Sequence, residues 1–119
     1  MEKSLAIAAL AALAQDSRLD AFRLLVQAGP DGMPAGQVAA ALGLPPNTLS
    51  FHFDRLRQAG LVTVRRDGRS MIYAARYDAM NALIGYLTEN CCGGAAEQCA
   101  PAACAPAART RKREKETTS

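Results

Sequence analysis

The first 90 residues contain no cysteine, and all four cysteines stand between positions 91 and 104. Histidine occurs once, at His52, and no Cys-x-x-Cys pair exists anywhere. These gaps exclude a good deal. A thiol enzyme needs an activated thiolate, set at a helix N-terminus or beside a base. Here the thiols follow a helical segment, whose C-terminal dipole opposes a thiolate, and no histidine is near them. A small thiol reductase is therefore the least favoured class, and the chain reads as a non-enzyme. Long hydrophobic runs are missing too. The stretch Leu5–Ala14 is too short to cross a membrane. With Lys3 and Ala12-Leu13-Ala14-Gln15 it imitates a secretory signal. Glu2 cancels the charge of Lys3, and the segment that follows favours an Ala/Leu-rich first helix. The expected setting is the cytoplasm, where cysteines stay reduced and serve as ligands or nucleophiles.

Half of the 119 residues are hydrophobic, enough for the core of one small domain, although a domain of this size gains by dimerising. The net charge of +3 is unevenly spread. Residues 1–44 carry three basic and four acidic groups, whereas residues 45–76 carry six arginines against Asp54 and Asp67. A basic centre in an otherwise balanced chain suggests a polyanionic partner.

Periodicity predicts a helix over 3–15, apolar on nearly every face, and a second over 17–28 capped by Asp16 or Ser17, with Leu19, Phe22, Leu25 and Val26 inward. Gly29-Pro30-Asp31-Gly32 reads as a turn. A helix over 35–42 is broken by Gly43, and Pro45-Pro46 starts another that runs to about Gln58, with Leu49, Phe53 and Leu56 as its inward seam. A hairpin follows, from Leu61–Val64 through Asp67-Gly68 to Ser70–Ala75. A last helix over 78–90 carries Met80, Leu83, Ile84 and Leu87 on one stripe. The first and last helices each have two apolar sides, which points to a subunit interface. The domain is expected over 1–92, with a cysteine-containing and basic tail over 93–119, of which 105–119 reads as disordered.

Two helices about a glycine turn, followed by a basic hairpin, make a winged helix-turn-helix: mainly α, with a small β-hairpin. The second helix of the pair would enter the major groove of DNA. With its seam inward, Asn47, Thr48, Ser50, Phe51 and Arg55 face out, beside Asp54. Asn can pair bidentately with adenine, Ser and Thr are adaptable, and a phenyl ring can touch a thymine methyl. Arg65, Arg66 and Arg69 flank the hairpin turn, where they can grip phosphates or a narrow minor groove. His52, beside the seam, reads as a helix-packing histidine. The basic run Arg109-Thr110-Arg111-Lys112-Arg113 reads first as a solubilising end; the alternative is salt-sensitive, sequence-independent DNA affinity.

The stretch from Leu42 to Phe53, with its Ser50-x-His52-Phe53 core, the turn Ala59-Gly60-Leu61-Val62 and the wing Arg66-Asp67-Gly68-Arg69 resemble the signature of the ArsR/SmtB metalloregulatory repressors. The resemblance spans about residues 5–92. It implies a homodimer, joined by the first and last helices, on double-stranded, pseudo-palindromic operator DNA. Half-sites would lie about one helical turn apart. Two of the family's sensor sites are missing: residues 35–40 hold no cysteine, and the last helix, with Asp78 and Glu89, holds no histidine. What remains is similar to the arsenite-responsive branch, with Cys91-Cys92 at the end of the last helix and a third cysteine in the tail. The implied inducer is arsenic(III), or antimony(III), with no organic cofactor and no membrane partner. Soft thiolates suit such an ion. The implied ligands are Cys91, Cys92 and Cys99, with Cys104 as the alternative third, since closing the longer loop costs only about 0.5 kcal/mol more. Adjacent residues on a helix point about 100° apart, so the helix end must unwind for both sulfurs to meet one atom; Gly93-Gly94 permits this. Zinc or cadmium, or oxidation of the thiols, are the alternative signals. The spacing of the four cysteines lacks paired Cys-x2–4-Cys units, and a disulfide framework is not expected in the cytoplasm.

Overall fold

Alanine decides how the first helix lies. In α1 (Lys3–Leu13) the buried residues are Ala6, Ala9 and Ala12, one row at every third position. Their small side chains let α1 approach α2 (Asp16–Ala28) and α4 (Pro46–Gln58) closely. The large residues Leu5, Ile7 and Leu10 are left exposed. The computed structural model describes residues 1–94, so Cys99, Cys104 and the tail segment 105–119 lie outside the described residues.

Helix α1 stops two residues short of expectation because Gln15 is extended (φ −151°, ψ 136°). Its side chain accepts a 2.9 Å hydrogen bond from the Arg18 backbone N–H and so caps α2, the role expected of Asp16 or Ser17. Ala21, Phe22 and Leu25 form the buried side of α2, while Leu19, expected inward, is exposed.

Helices α3 (Ala35–Leu42) and α4 each end in the same way. Gly43 takes φ +67° and Gly60 φ +78°, left-handed values that a side chain disfavours. Leu44 N–H then reaches Ala39 C=O at 3.0 Å, and Leu61 N–H reaches Leu56 C=O at 3.0 Å. Gly43 N–H to Ala40 C=O and Gly60 N–H to Arg57 C=O complete two Schellman caps. The two caps fix where α4 is entered and left. Between them Leu49, Phe53 and Leu56 are buried, as the spacing predicts, and each removes about 1.5–3 kcal/mol worth of apolar surface from water.

The expected hairpin is part of a three-stranded antiparallel sheet, in the order β1-β3-β2, made by β1 (Met33–Pro34), β2 (Val62–Asp67) and β3 (Ser70–Ala75). Strand β1 escapes sequence reading because two residues carry no periodicity and one is proline, which sheets tolerate at an edge. It pairs Met33 with Tyr73 and Pro34 with Ile72. The pairing of Asp67 with Ser70 makes Gly68-Arg69 the turn, one position beyond the expected Asp67-Gly68. Gly68, at φ +64°, supplies the first turn residue, as a two-residue turn of this kind requires. Tyr73 of β3 stacks on Phe53 of α4, centroids 3.9 Å apart and planes 17° from parallel. The architecture is a winged helix-turn-helix, mostly helical.

The chain divides into two units, Met1–Leu83 and Ile84–Ser119. Helix α5 (Tyr77–Leu87) begins in the first, where Tyr77 Oη donates to Val26 C=O at 3.0 Å. Of its expected stripe only Leu83 is buried; Ile84 and Leu87 are exposed. The helix ends at Leu87, before the expected residue 90, and Asn90 takes a left-handed φ of 56°. A single 3-10 turn then covers Cys91–Gly94. No helix among the described residues is long and apolar enough to cross a membrane.

Candidate nucleic-acid interface

The surface of α4 is built by elimination. With one flank packed through Phe53 on Tyr73 and the seam buried, Asn47, Thr48, Ser50, Phe51, Asp54, Arg55, Arg57 and Gln58 are exposed. Pro46 occupies the first turn, and no side chain caps the N-terminus of α4, so the leading residues meet solvent without a competing bond. Every α4 residue expected to read DNA is therefore on one exposed arc.

The arc is organised internally. Arg57 donates to Asp54 at 2.6 Å, and Gln58 donates to the other carboxylate oxygen at 2.9 Å. Both partners are half exposed, so the pair contributes little to stability; its effect is to offset the negative charge of Asp54 on the arc. The Arg55 guanidinium lies 5.0 Å over the Phe51 ring, a cation–π contact. Phe51 is thus partly occupied by Arg55, besides being available to a base.

The three wing arginines are exposed but not equivalent. Successive strand residues point to opposite faces. Arg66 sits across from Met71, in the row that contains Val64 and Tyr73, so it shares the face that stacks on α4. Arg65 lies on the opposite face, and its guanidinium donates to Asp31 C=O at 3.0 Å. Part of its hydrogen-bonding capacity is spent on the turn before β1. Arg69 is at the tip, in the turn itself.

Arg18 was invisible to sequence reasoning. Its Nε donates to Ala12 C=O at 2.6 Å, and its Nη1 lies 3.3 Å from His52 Nδ1. It joins the end of α1, the start of α2 and the floor of α4. Burial first, and the Arg18 cation second, hold the His52 pKa below the ordinary 6.5. A neutral ring accepting from Arg18 satisfies both, which makes His52 a packing histidine.

The thiol segment is described only in part. Cys91 and Cys92 lie on the 3-10 turn, past the end of α5. Thr88 Oγ1 donates to Ile84 C=O at 2.8 Å, and Cys91 N–H to Thr88 C=O at 2.9 Å. The expected unwinding of the helix end is thus already present before Cys91. Cys91 is disulfide-bonded, contrary to the expectation of reduced thiols. Four cysteines between 91 and 104 keep every thiol within a short chain loop of another, where closure costs little entropy. Among the described residues no group of three or more His, Cys, Asp or Glu side chains could hold a metal ion.

A helix-turn-helix domain family matches residues 13–65. The transcriptional regulator YgaV of Escherichia coli is 32% identical over 87 residues, 73% of this chain and 86% of that protein. The fold is similar to the homodimeric winged helix-turn-helix domain of Mb0332 from Mycobacterium bovis, described as a possible ArsR-family regulator: TM-score 0.60, 27% identity, 73% of this chain and 81% of that one. The chain belongs to the ArsR/SmtB family. NolR from Sinorhizobium fredii is a further solved relative, with TM-score 0.59 and 32% identity over 72% of this chain and 83% of its own. YgaV is named for regulation of transcription, not for an enzymatic activity. This chain is accordingly a transcriptional regulator with a winged DNA-binding domain.

Proposed function

We propose that this regulator is an arsenic(III)-responsive repressor of the cytoplasm. It holds a pseudo-palindromic operator as a homodimer and leaves it when trivalent arsenic, or antimony, bonds to Cys91, Cys92 and Cys99, with Cys104 as the alternative third ligand. The observation that carries the DNA half is the exposed arc of α4, together with the exposed Arg66 and Arg69 of the wing. Dimerisation is supported by the large apolar residues left uncovered, Leu5, Ile7 and Leu10 on α1 and Ile84 and Leu87 on α5. The homodimeric state of the similar Mb0332 domain agrees with it.

The metalloid half rests on the placement of two adjacent cysteines just beyond an interface helix that ends early. Thiolates, not a disulfide, are the donors for a soft trivalent ion. Cys91 must therefore be reduced before it can bind. Linkage requires the metalloid to bind the DNA-free form more tightly, by the same factor that it weakens DNA binding. The test is operator affinity under reductant, with arsenite titrated into wild type and into each Cys→Ser variant. The operator would be selected from random-sequence DNA. Release should vanish in Cys91→Ser and Cys92→Ser; full release in either overturns the assignment. X-ray absorption on the loaded protein should count three sulfurs.

The disulfide at Cys91 favours one second reading: the same cysteines respond to oxidation. Two thiols would lose two protons and two electrons to a thiol oxidant and form the disulfide. Release by diamide without arsenite, reversed by dithiothreitol, separates this signal from metalloid binding.

A further inference from the structure

A groove of about 470 Å³ runs between α1 and α4. Ala8 and Ala11 form one wall, Phe51, Arg55 and Gln58 the other, and Arg18 reaches it from α2. Its lining includes no acidic residue. Neither Arg18 nor Arg55 has a carboxylate partner among the described residues, where the ion pairs are Arg57–Asp54 and Arg76–Asp78. Arg18 uses Nε on Ala12 C=O and Nη1 on His52 Nδ1. Two uncompensated guanidinium groups thus meet alanine methyls and one aromatic face in a cleft of ligand size.

We infer that this groove binds a small planar aromatic carboxylate, and that its occupancy opposes DNA binding. The ring would lie against Phe51 and the methyls of Ala8 and Ala11, and the carboxylate would accept from Arg18 and Arg55. Guanidinium groups suit such an acceptor by their planar fork. A phosphodiester of bound DNA would satisfy the charge but leave the apolar wall wet, so the organic anion is the better fit. Phe51 and Arg55 belong to the reading arc of α4. A ligand that holds them withdraws them from the major groove. That consequence rests on the DNA-reading role proposed for α4.

The experiment uses the full chain and two probes, 2-naphthoate and its neutral isostere 2-naphthamide. Amide NMR titration without DNA should show saturable shifts confined to residues 8–18 and 51–59. Naphthoate should bind about tenfold tighter than naphthamide, the worth of one charge-assisted hydrogen bond. Arg55→Gln should reduce that difference, since Arg18 remains, and Ala11→Leu, at an exposed position, should fill the groove and abolish binding in a protein with an otherwise native spectrum. Equal affinity for the two probes, shifts elsewhere, no saturation, or equally tight binding of inorganic phosphate overturns the site. In a second arm, naphthoate should weaken operator binding by wild type and leave Ala11→Leu unaffected; unchanged operator affinity in wild type overturns the antagonism. Because the first arm needs no DNA, failure of the repressor reading is told apart from failure of the site.

Discussion

Helix α4 buries Leu49, His52, Phe53 and Leu56 and turns amide, hydroxyl and guanidinium groups outward, whereas α5, two residues shorter, buries Leu83 and leaves Ile84 and Leu87 in solvent. Both are amphipathic by sequence. The apolar face of α4 is met within the chain, by Tyr73 of the wing and by neighbouring helices. That of α5 is met only in part among the described residues, at Leu83, with Ile84 and Leu87 left exposed. A helix in a small domain draws its stability from packing of its apolar face, not from propensity. Thus α4 is a finished part that presents a fixed surface, while α5 awaits a second surface. In the proposed function, a signal delivered at Cys91 would arrive beside the unfinished helix, where a small change in geometry would alter association.

The contrast breaks most visibly at Phe53. Phe53→Ala removes a fully buried ring stacked on Tyr73 and should cost about 3–5 kcal/mol, a large part of the stability of a domain this size. Urea unfolding checks it. Loss below about 1 kcal/mol would mean that α4 and the wing are not rigidly joined.

Leu87→Glu tests the other side. The side chain is 58% exposed, so the folded monomer should lose less than about 0.5 kcal/mol. If α5 is completed by a second copy, a buried unpaired carboxylate there should weaken the dimer by a factor on the order of a hundred, about 3 kcal/mol. Sedimentation equilibrium gives the answer. An unchanged dimer would place the interface elsewhere.

The wing refines the comparison more gently. Arg66→Ala should lower the salt dependence of operator binding by about one phosphate contact. Arg65→Ala should lower it less, because Arg65 already donates to Asp31 C=O. Equal slopes for the two would show that the face of the strand does not matter to DNA.

The seam of α4 and the positions of Gly43 and Gly60 were legible because helical spacing and left-handed glycine are local facts. Strand β1 was not, since Met33-Pro34 becomes a strand only by meeting Tyr73 and Ile72 of a distant segment. The cap of α2 was misplaced because Gln15, a weaker capping residue than Asp16 or Ser17, happens to be extended. Leu19 was expected inward, and Ile84 and Leu87 on one apolar stripe; all three are exposed, because periodicity finds an apolar face but cannot say whether the same chain covers it. At the reading surface, the list of outward residues followed from spacing. Of the contacts that tune them, Arg55 on Phe51 is an i, i+4 pair within α4, whereas Arg18 on His52 depends on side chains brought together from separate helices.

The smallest effect belongs to the one titrating group inside the finished part. Burial and the Arg18 cation depress the folded-state pKa of His52 below the 6.5 of the unfolded chain. As the pH falls through 6.5, the unfolded chain takes up a proton that the folded protein still refuses. Stability is therefore fully present above that pH and declines below it, until the folded-state pKa is reached. Urea midpoints measured between about pH 7.5 and 5.5, above the range of ordinary carboxylates, should fall in wild type. They should fall less in His52→Gln, whose amide oxygen can still accept from Arg18 but does not titrate. If both proteins lose stability in parallel, protonation of His52 is not what the folded state resists, and the contact of Arg18 with α4 is not a bond to a neutral ring.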